Sequence, residues 1–292
     1  VFWMVEPVRG AFFAGRYLLE ALEAGQTRHV LRGLQTESAY LALRGGPGSI
    51  DASLAIVKRS AGLVRRSGSA TTLAGARFAE AGFHGITGRK EESTRCALEA
   101  LSRPDLPRIS WERAYARFLC FQNALYIGGG PGLTVEVETA VEEAQSRDDR
   151  FAMLTLLPML CMAELMADRP DRALEAMARM RPMLSRELVG YLGVQELIWT
   201  SLAHLYRGES EEAWQHYVAR HRQYLRSGMS DLQLWRQLHR WGSSLVRLAL
   251  LGTERGGRPA SLSGLKRDLR GIAEERDCLW PQGFAAGGLA AL

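Results

Sequence analysis

Apolar residues recur at steps of three and four along most of this chain, the spacing that puts them on one face of an α-helix. The clearest case is the stretch 190–228. Tyr191, Val194, Ile198, Ser201 and Leu205 share one face, and Gly208 can take the left-handed conformation that ends such a helix. Ser210 offers a hydroxyl cap to a second helix, Glu211 and Glu212 suit its positive end, and Trp214, Tyr217, Val218, His221, Tyr224 and Leu225 line one side. The same spacing near the start predicts a helix over 10–24 with Phe12, Phe13, Tyr17, Leu18 and Leu22 inward, stopped by Gly25. Another is expected over 27–44, ended by the break Gly45-Gly46-Pro47-Gly48-Ser49. Further helices are predicted over 51–66, 71–87, 91–102, 110–127, 133–146, 150–167, 171–185, 191–207, 211–227, 231–251 and 262–276, with kinks or a late start at Pro158 and Pro182.

The turns between paired helices fall at Gly45, Gly88, Gly128, Asp168, Gly208 and Gly252, at intervals of 43, 40, 40, 40 and 44 residues. Residue types repeat with the spacing. Two positions before the turn stand Leu43, Ile86, Tyr126, Met166, Tyr206 and Leu250; ten before it stand Phe78, Phe118, Pro158 and Ile198; seventeen before it stand Trp111, Phe151, Tyr191 and Trp235. Large apolar residues at matched offsets are what neighbouring hairpins need to share a continuous core. The expectation is an all-α fold: a tetratricopeptide-like α-solenoid of stacked antiparallel helix hairpins, at least five of them, with a period of about 40 residues, longer than the tetratricopeptide 34. Residues 1–49 form N-terminal helices continuing from a missing upstream part, 50–252 the repeat array, and 253–292 truncated C-terminal helices. Because the chain begins with Val1 and ends without a charge or cap, it is expected to be a piece of something longer.

Composition narrows this picture. Ala, Leu, Arg and Glu dominate and β-branched residues are scarce, so local propensity favours helix. The net charge of +5 comes from Arg, with Lys58, Lys90 and Lys266 the only lysines; spread over so long an array it does not point to a nucleic-acid partner. Cys96, Cys120, Cys161 and Cys278 lie far apart with no metal-ligand spacing, so free, mostly buried thiols in the cytoplasm are expected. There is no secretory signal at the start, and the longest uncharged apolar run before the tail, 151–163, is too short for a membrane span.

Candidate chemistry is thin. The Gly128–Gly132 and Gly45–Gly48 clusters resemble phosphate loops, but no Gly-Lys pair exists in the chain and neither cluster follows a predicted strand. The H-R-D and D-F-G signatures of a kinase core are absent. His216 and His221 are five apart, which splays them about 140° around a helix, wrong for a shared metal. No catalytic, cofactor or metal residue is assigned, and the chain is not expected to be an enzyme by itself. What remains is surface. Positions four, eight and eleven before each turn align on one face of every first helix, the expected concave lining, and read Arg77, Glu80, His84; Arg117, Cys120, Ala124; Leu157, Leu160, Glu164; Leu197, Thr200, His204. A second candidate is the basic stripe Arg236, His239, Arg240, Ser243 and Arg247. Partner binding is assigned to Arg77, Glu80, His84, Arg117, Glu164, Thr200, His204, Arg236 and Arg240.

The segments Ala14-Gly15-Arg16-Tyr17-Leu18-Leu19-Glu20-Ala21-Leu22-Glu23-Ala24-Gly25 and Arg32-Gly33-Leu34-Gln35-Thr36-Glu37-Ser38-Ala39 resemble a stretch of large bacterial serine/threonine protein kinases. In these a kinase domain is followed by a predicted NTPase module and a long tetratricopeptide-like tail. Leu205-Tyr206-Arg207-Gly208-Glu209 with Glu212-Ala213-Trp214 is similar to a later landmark of that tail. The resemblance implies a regulatory or scaffolding segment in signal transduction, binding a protein or peptide partner or the kinase and NTPase domains of its own parent chain. The alternative is the sensor tail of an ATP-dependent transcription activator of the maltose-regulator type.

Overall fold

The structure, a computed structural model, describes residues 7–67, 70–103, 111–130, 132–184, 190–252, 259–275 and 282–291. Among them are fourteen α-helices and no strand: α1 (Pro7–Ala24), α2 (Thr27–Arg44), α3 (Pro47–Ser67), α4 (Ala70–Ile86), α5 (Lys90–Leu101), α6 (Trp111–Tyr126), α7 (Leu133–Ser146), α8 (Arg150–Met166), α9 (Pro170–Met180), α10 (Tyr191–Tyr206), α11 (Ser210–Arg226), α12 (Gln233–Leu251), α13 (Pro259–Glu274) and α14 (Gln282–Ala291). Pro158 sits inside α8, whereas Pro182 belongs to a 3-10 turn that follows α9. Ser210 opens α11 as its first helical residue, and Glu209 occupies the position before it.

Four of the predicted turns close in the same way. Gly88, Gly128, Asp168 and Gly208 take φ of 85°, 86°, 58° and 79°. The next residue in each case donates its N–H to the carbonyl five positions back: Arg89 to His84, Gly129 to Ala124, Arg169 to Glu164 and Glu209 to His204, at 2.8 to 2.9 Å. That bond satisfies a carbonyl the helix end would leave orphaned. Aspartate is among the few side chains that tolerate this conformation, which accounts for Asp168 among glycines. Gly252 is different, with φ −77°.

Consecutive helices pack as neighbours, and α2, α4, α6, α8, α10 and α12 also pack one on the next. The last of them returns to the first: α12 rests on α2, so these six helices form a closed circuit. The odd-numbered helices from α3 to α11 each bridge two members of it. Side chains fill much of the interior. Trp111 meets Phe78 edge-on, Phe78 meets Tyr115, Tyr115 stacks on Phe118, Phe118 meets Tyr191, and Tyr191 lies 4.5 Å from Trp235, centroid to centroid. This aromatic chain joins α4 and α6 to α12 by way of α10, and its members come from the offsets ten and seventeen before the turns, joined by Tyr115.

Three expectations about faces are corrected. In α1, Phe12, Phe13 and Leu22 are exposed, and the helix buries Pro7, Gly10 and Ala21 instead. In α11, Val218 and Leu225 are exposed, because Tyr217, His221 and Tyr224 are the residues that turn toward α12. At the offset two before the turn, Tyr126, Met166 and Tyr206 are exposed, the chain having already begun to leave the packed layer there. Cys96, Cys120 and Cys161 are free thiols, Cys96 and Cys161 buried and Cys120 half-buried, and burial pushes all three thiols up; Cys278 lies outside the described residues.

The circuit closes at Gly45. Its φ of 75° and ψ of −173° fall in a region essentially reserved for glycine. A Cβ there would stand 1.7 Å from Gln233 Oε1 and 2.5 Å from Gln233 Cβ, and Gly46 N–H donates to the same Oε1 at 3.3 Å. Gly46 has φ 86° but open space around it. Gly46→Ala should therefore cost about 1–2 kcal/mol from backbone strain alone, and Gly45→Ala clearly more, because α12 must also move off α2. Urea denaturation of the two variants side by side checks this; equal losses would show that closure contributes nothing.

Candidate functional site

The offsets four, eight and eleven before each turn do share a face, but in each case its charged residues meet acids or bases of the same hairpin. Arg77 on α4 pairs with Glu80 of its own helix and reaches Glu99 of α5 at 2.8 Å. Arg117 on α6 reaches Glu143 of α7 at 2.8 Å. Glu164 on α8 holds Arg169 at 2.6 Å and stands 3.9 Å from Arg172 of α9. His204 on α10 meets Glu209 at 2.8 Å, and Thr200 stands 3.4 Å from Glu196. Glu164 and Thr200 are 2% and 1% exposed, which leaves them no surface to offer a peptide. His84 is half-buried, and burial lowers its pKa. The face predicted as a concave lining is the seam within each hairpin.

The basic stripe on α12 is likewise occupied. Glu275, just past α13, takes Arg236 through both carboxylate oxygens at 2.7 and 2.8 Å, and Arg240 at 2.6 Å. Arg240 also donates to the carbonyl of Gly271 at 2.7 Å. Arg247 stands 3.4 Å from Asp268. The stripe ties α12 to α13, and its charge is spent there.

Two buried polar clusters were not foreseen as such. Glu196 on α10 is fully buried, with Arg181 at 3.0 Å and with His216 and Arg220 of α11 each at 3.5 Å. Burial pushes its carboxyl up, but the His216 imidazole and the two guanidiniums outweigh burial and hold it at about 2. The signal was present in sequence, since Gln195 and Glu196 interrupt the apolar run from Tyr191 to Trp199. In the second cluster, His239 of α12 lies flat on Tyr224, with ring centroids 3.8 Å apart. Its Nε2 is 2.6 Å from the Tyr217 hydroxyl and 3.2 Å from His221 Nδ1. Burial, then the positive charges of His221, Arg240 and Arg247, bring His239 down to about 3, so the ring is neutral. Ser243 donates to Asp268 at 2.7 Å and not to His239, so no serine–histidine–acid relay is assembled. Among the described residues no group of three His, Cys, Asp or Glu is placed to hold a metal. No described helix is long and apolar enough to cross a membrane.

The exposed apolar residues make a different site. Tyr126 is 41% exposed, Ile127 65%, Met166 53% and Tyr206 52%. They occupy the ends of α6, α8 and α10, successive members of the circuit, and so form a row. Its members are posed by their neighbours: Lys90 lies over the Tyr126 ring at 4.8 Å, and the Tyr206 hydroxyl donates to Asp168 of the preceding turn at 3.0 Å. Comparison with known proteins returns no matching family model, no matching curated protein and no matching solved structure.

Acid should destabilise this protein in two windows. His239 is depressed from 6.5, so the unfolded chain takes up its proton first and stability falls as pH drops from about 6.5 toward 3. Glu196 is depressed from 4.5 to about 2; its contribution, about 3 kcal/mol, is present above 4.5 and lost between there and 2. Urea midpoints measured across pH should show both declines. Glu196→Gln should reduce the lower one, leaving the part due to Glu275, where burial pushes the carboxyl up but Arg236 holds it below its ordinary value. Arg240→Ala should cost about 1–2 kcal/mol through the lost α12–α13 bonds, where a free surface arginine would cost under about 0.5. A loss within that smaller figure would place Arg240 on the open surface.

Proposed function

We propose that this chain is a non-catalytic interaction segment, a tetratricopeptide-like helical-repeat array that regulates or scaffolds a bacterial serine/threonine protein kinase. Its partner is a protein or peptide segment, either from another molecule or from the kinase and NTPase domains of the parent chain. The observation that carries this is the exposed row Tyr126, Met166 and Tyr206, one large apolar residue from each of three successive hairpins at the same offset from the turn. Neighbouring helices stand about 8–10 Å apart, so a segment lying across α6, α8 and α10 meets an apolar contact at each step. A near-40-residue spacing of left-handed turns and the absence of any phosphate-cradling motif in the sequence support the same reading. The kinase link rests on the sequence resemblance alone.

Both parts are testable. The reading frame upstream of Val1 is expected to carry H-R-D and D-F-G motifs, and a frame without them removes the kinase assignment. In the full-length kinase, Met166→Glu with Tyr206→Ala should cost the segment no more than about 1.5 kcal/mol, the size of the lost Tyr206–Asp168 hydrogen bond, yet change substrate phosphorylation severalfold. An unchanged rate in that double variant would sink the docking row.

A further inference from the structure

A recess of about 250 Å³ opens between α2, α4 and α6, away from the docking row at the turn ends. It exists because α4 is stripped of bulk at three places. Thirteen, nine and six positions before its turn, α4 carries Gly75, Ala79 and Gly82. The same offsets hold Tyr115, Leu119 and Gln122 in α6, Thr155, Met159 and Met162 in α8, and Gln195, Trp199 and Leu202 in α10. Leu119, Met159 and Trp199 are all buried, at 2%, 0% and 6% exposure, so where α6, α8 and α10 fill the interior, α4 leaves it open. A Cβ added to Gly82 would meet nothing within 4 Å. A glycine inside a helix weakens it, and an unfilled apolar recess forgoes packing; Gly75 makes room for the Gln35 amide, but at Gly82 nothing in the fold itself favours the missing side chain.

The lining points to a class of ligand. Phe78, Trp111 and Tyr115 present an aromatic wall, Phe78 edge-on to both of the others at 5.2 and 5.8 Å. At the rim Arg32 is held by Glu112 at 3.0 Å, a pair that is neutral as a unit. Arg28, one turn earlier on α2, is exposed and has no carboxylate within ion-pair distance among the described residues. Gln35 sets its amide against Gly75, 3.4 Å from where a Cβ there would stand, and that amide makes no hydrogen bond among the described residues. The site therefore carries one uncompensated positive charge, one available amide and an aromatic floor.

We propose that this recess binds a small amphipathic monocarboxylate, its aromatic or acyl body against Phe78, Trp111 and Tyr115 and its carboxylate on Arg28. The inference stands independently of the docking row and of any link to a kinase. Calorimetry with 2-naphthoate and with octanoate separates the two kinds of body, and 2-naphthalenemethanol and 1-octanol serve as uncharged counterparts. At least one carboxylate should bind with a Kd below about 1 mM, and tighter than its alcohol. Arg28→Ala should weaken the acid about tenfold, the size of a lost charge-assisted hydrogen bond, and leave the alcohol unchanged. Gly82→Met should abolish binding of both while its thermal midpoint holds or rises, since methionine favours the helix and fills the void; Ala79→Leu is the second filled variant should Gly82→Met lower the midpoint. No heat with either acid, equal affinity for acid and alcohol, or binding that survives the filled variants would overturn the proposal.

Discussion

The architecture depends on one local event repeated along the chain: a helix ends on a left-handed residue, and the next N–H returns to the carbonyl five positions back. Gly88, Gly128, Asp168 and Gly208 each do this with nearly the same geometry. Because the bond sets the exit direction of the chain, each second helix leaves its partner alike, and each following first helix arrives beside the last. In the circuit of α2, α4, α6, α8, α10 and α12, those four turns lie between successive members from α4 to α12. Its closure is then a geometric outcome that must be accommodated at one place, and Gly45 against Gln233 is that place. A left-handed glycine there serves both the turn and the close approach of α12.

Helix positions and turns were legible from the sequence because they are decided within a few residues. The predicted helices over 133–146 and 27–44 coincide with α7 and α2, and all four of those turn residues carry positive φ. Which face of a helix is buried is decided by its neighbours, and there the reading failed. Phe12 and Phe13 lie on a regular apolar spacing yet are exposed on α1, since α2 packs against the other side. The offset of four, eight and eleven looked like an open lining and is the seam of the hairpin, because spacing along one helix shows that positions share a face without showing what that face meets. The partners Glu99 and Glu143 lie on other helices and Glu275 just past α13, 22 to 39 residues away in sequence.

Those partners also account for the arginine-rich composition. Arg77, Arg117, Arg181, Arg236 and Arg240 each reach a carboxylate on a neighbouring element, and Arg236 does so with the paired geometry that a guanidinium allows and an ammonium does not. A basic balance built this way fastens helices to one another and says little about an acidic partner. Exposed pairs of this kind contribute weakly one at a time. Glu196 differs, because its carboxylate is fully buried and three basic side chains converge on it from two sides of α10. Removing any one of them leaves charge in a site with little water, which is where an electrostatic contact becomes costly to lose.

The interior of the circuit is graded in the same terms. On its C-terminal side α8, α10 and α12 meet through Leu, Met, Ile and Trp side chains, and Tyr191 bridges Phe118 to Trp235. On its N-terminal side the glycines and alanine of α4 leave space, and the aromatic residues bordering that space begin the same chain of rings. Phe78 and Tyr115 therefore belong to both regions: one edge of each faces the recess, and another supports the packing that leads to α12. Tyr115 stacks on Phe118 and so leads from the recess toward α12, while α2, the other helix of the closure, lines the recess directly. The recess and the closure at Gly45 are thus physically continuous through packed rings, whereas Tyr126, Met166 and Tyr206 stand exposed at the turn ends of α6, α8 and α10.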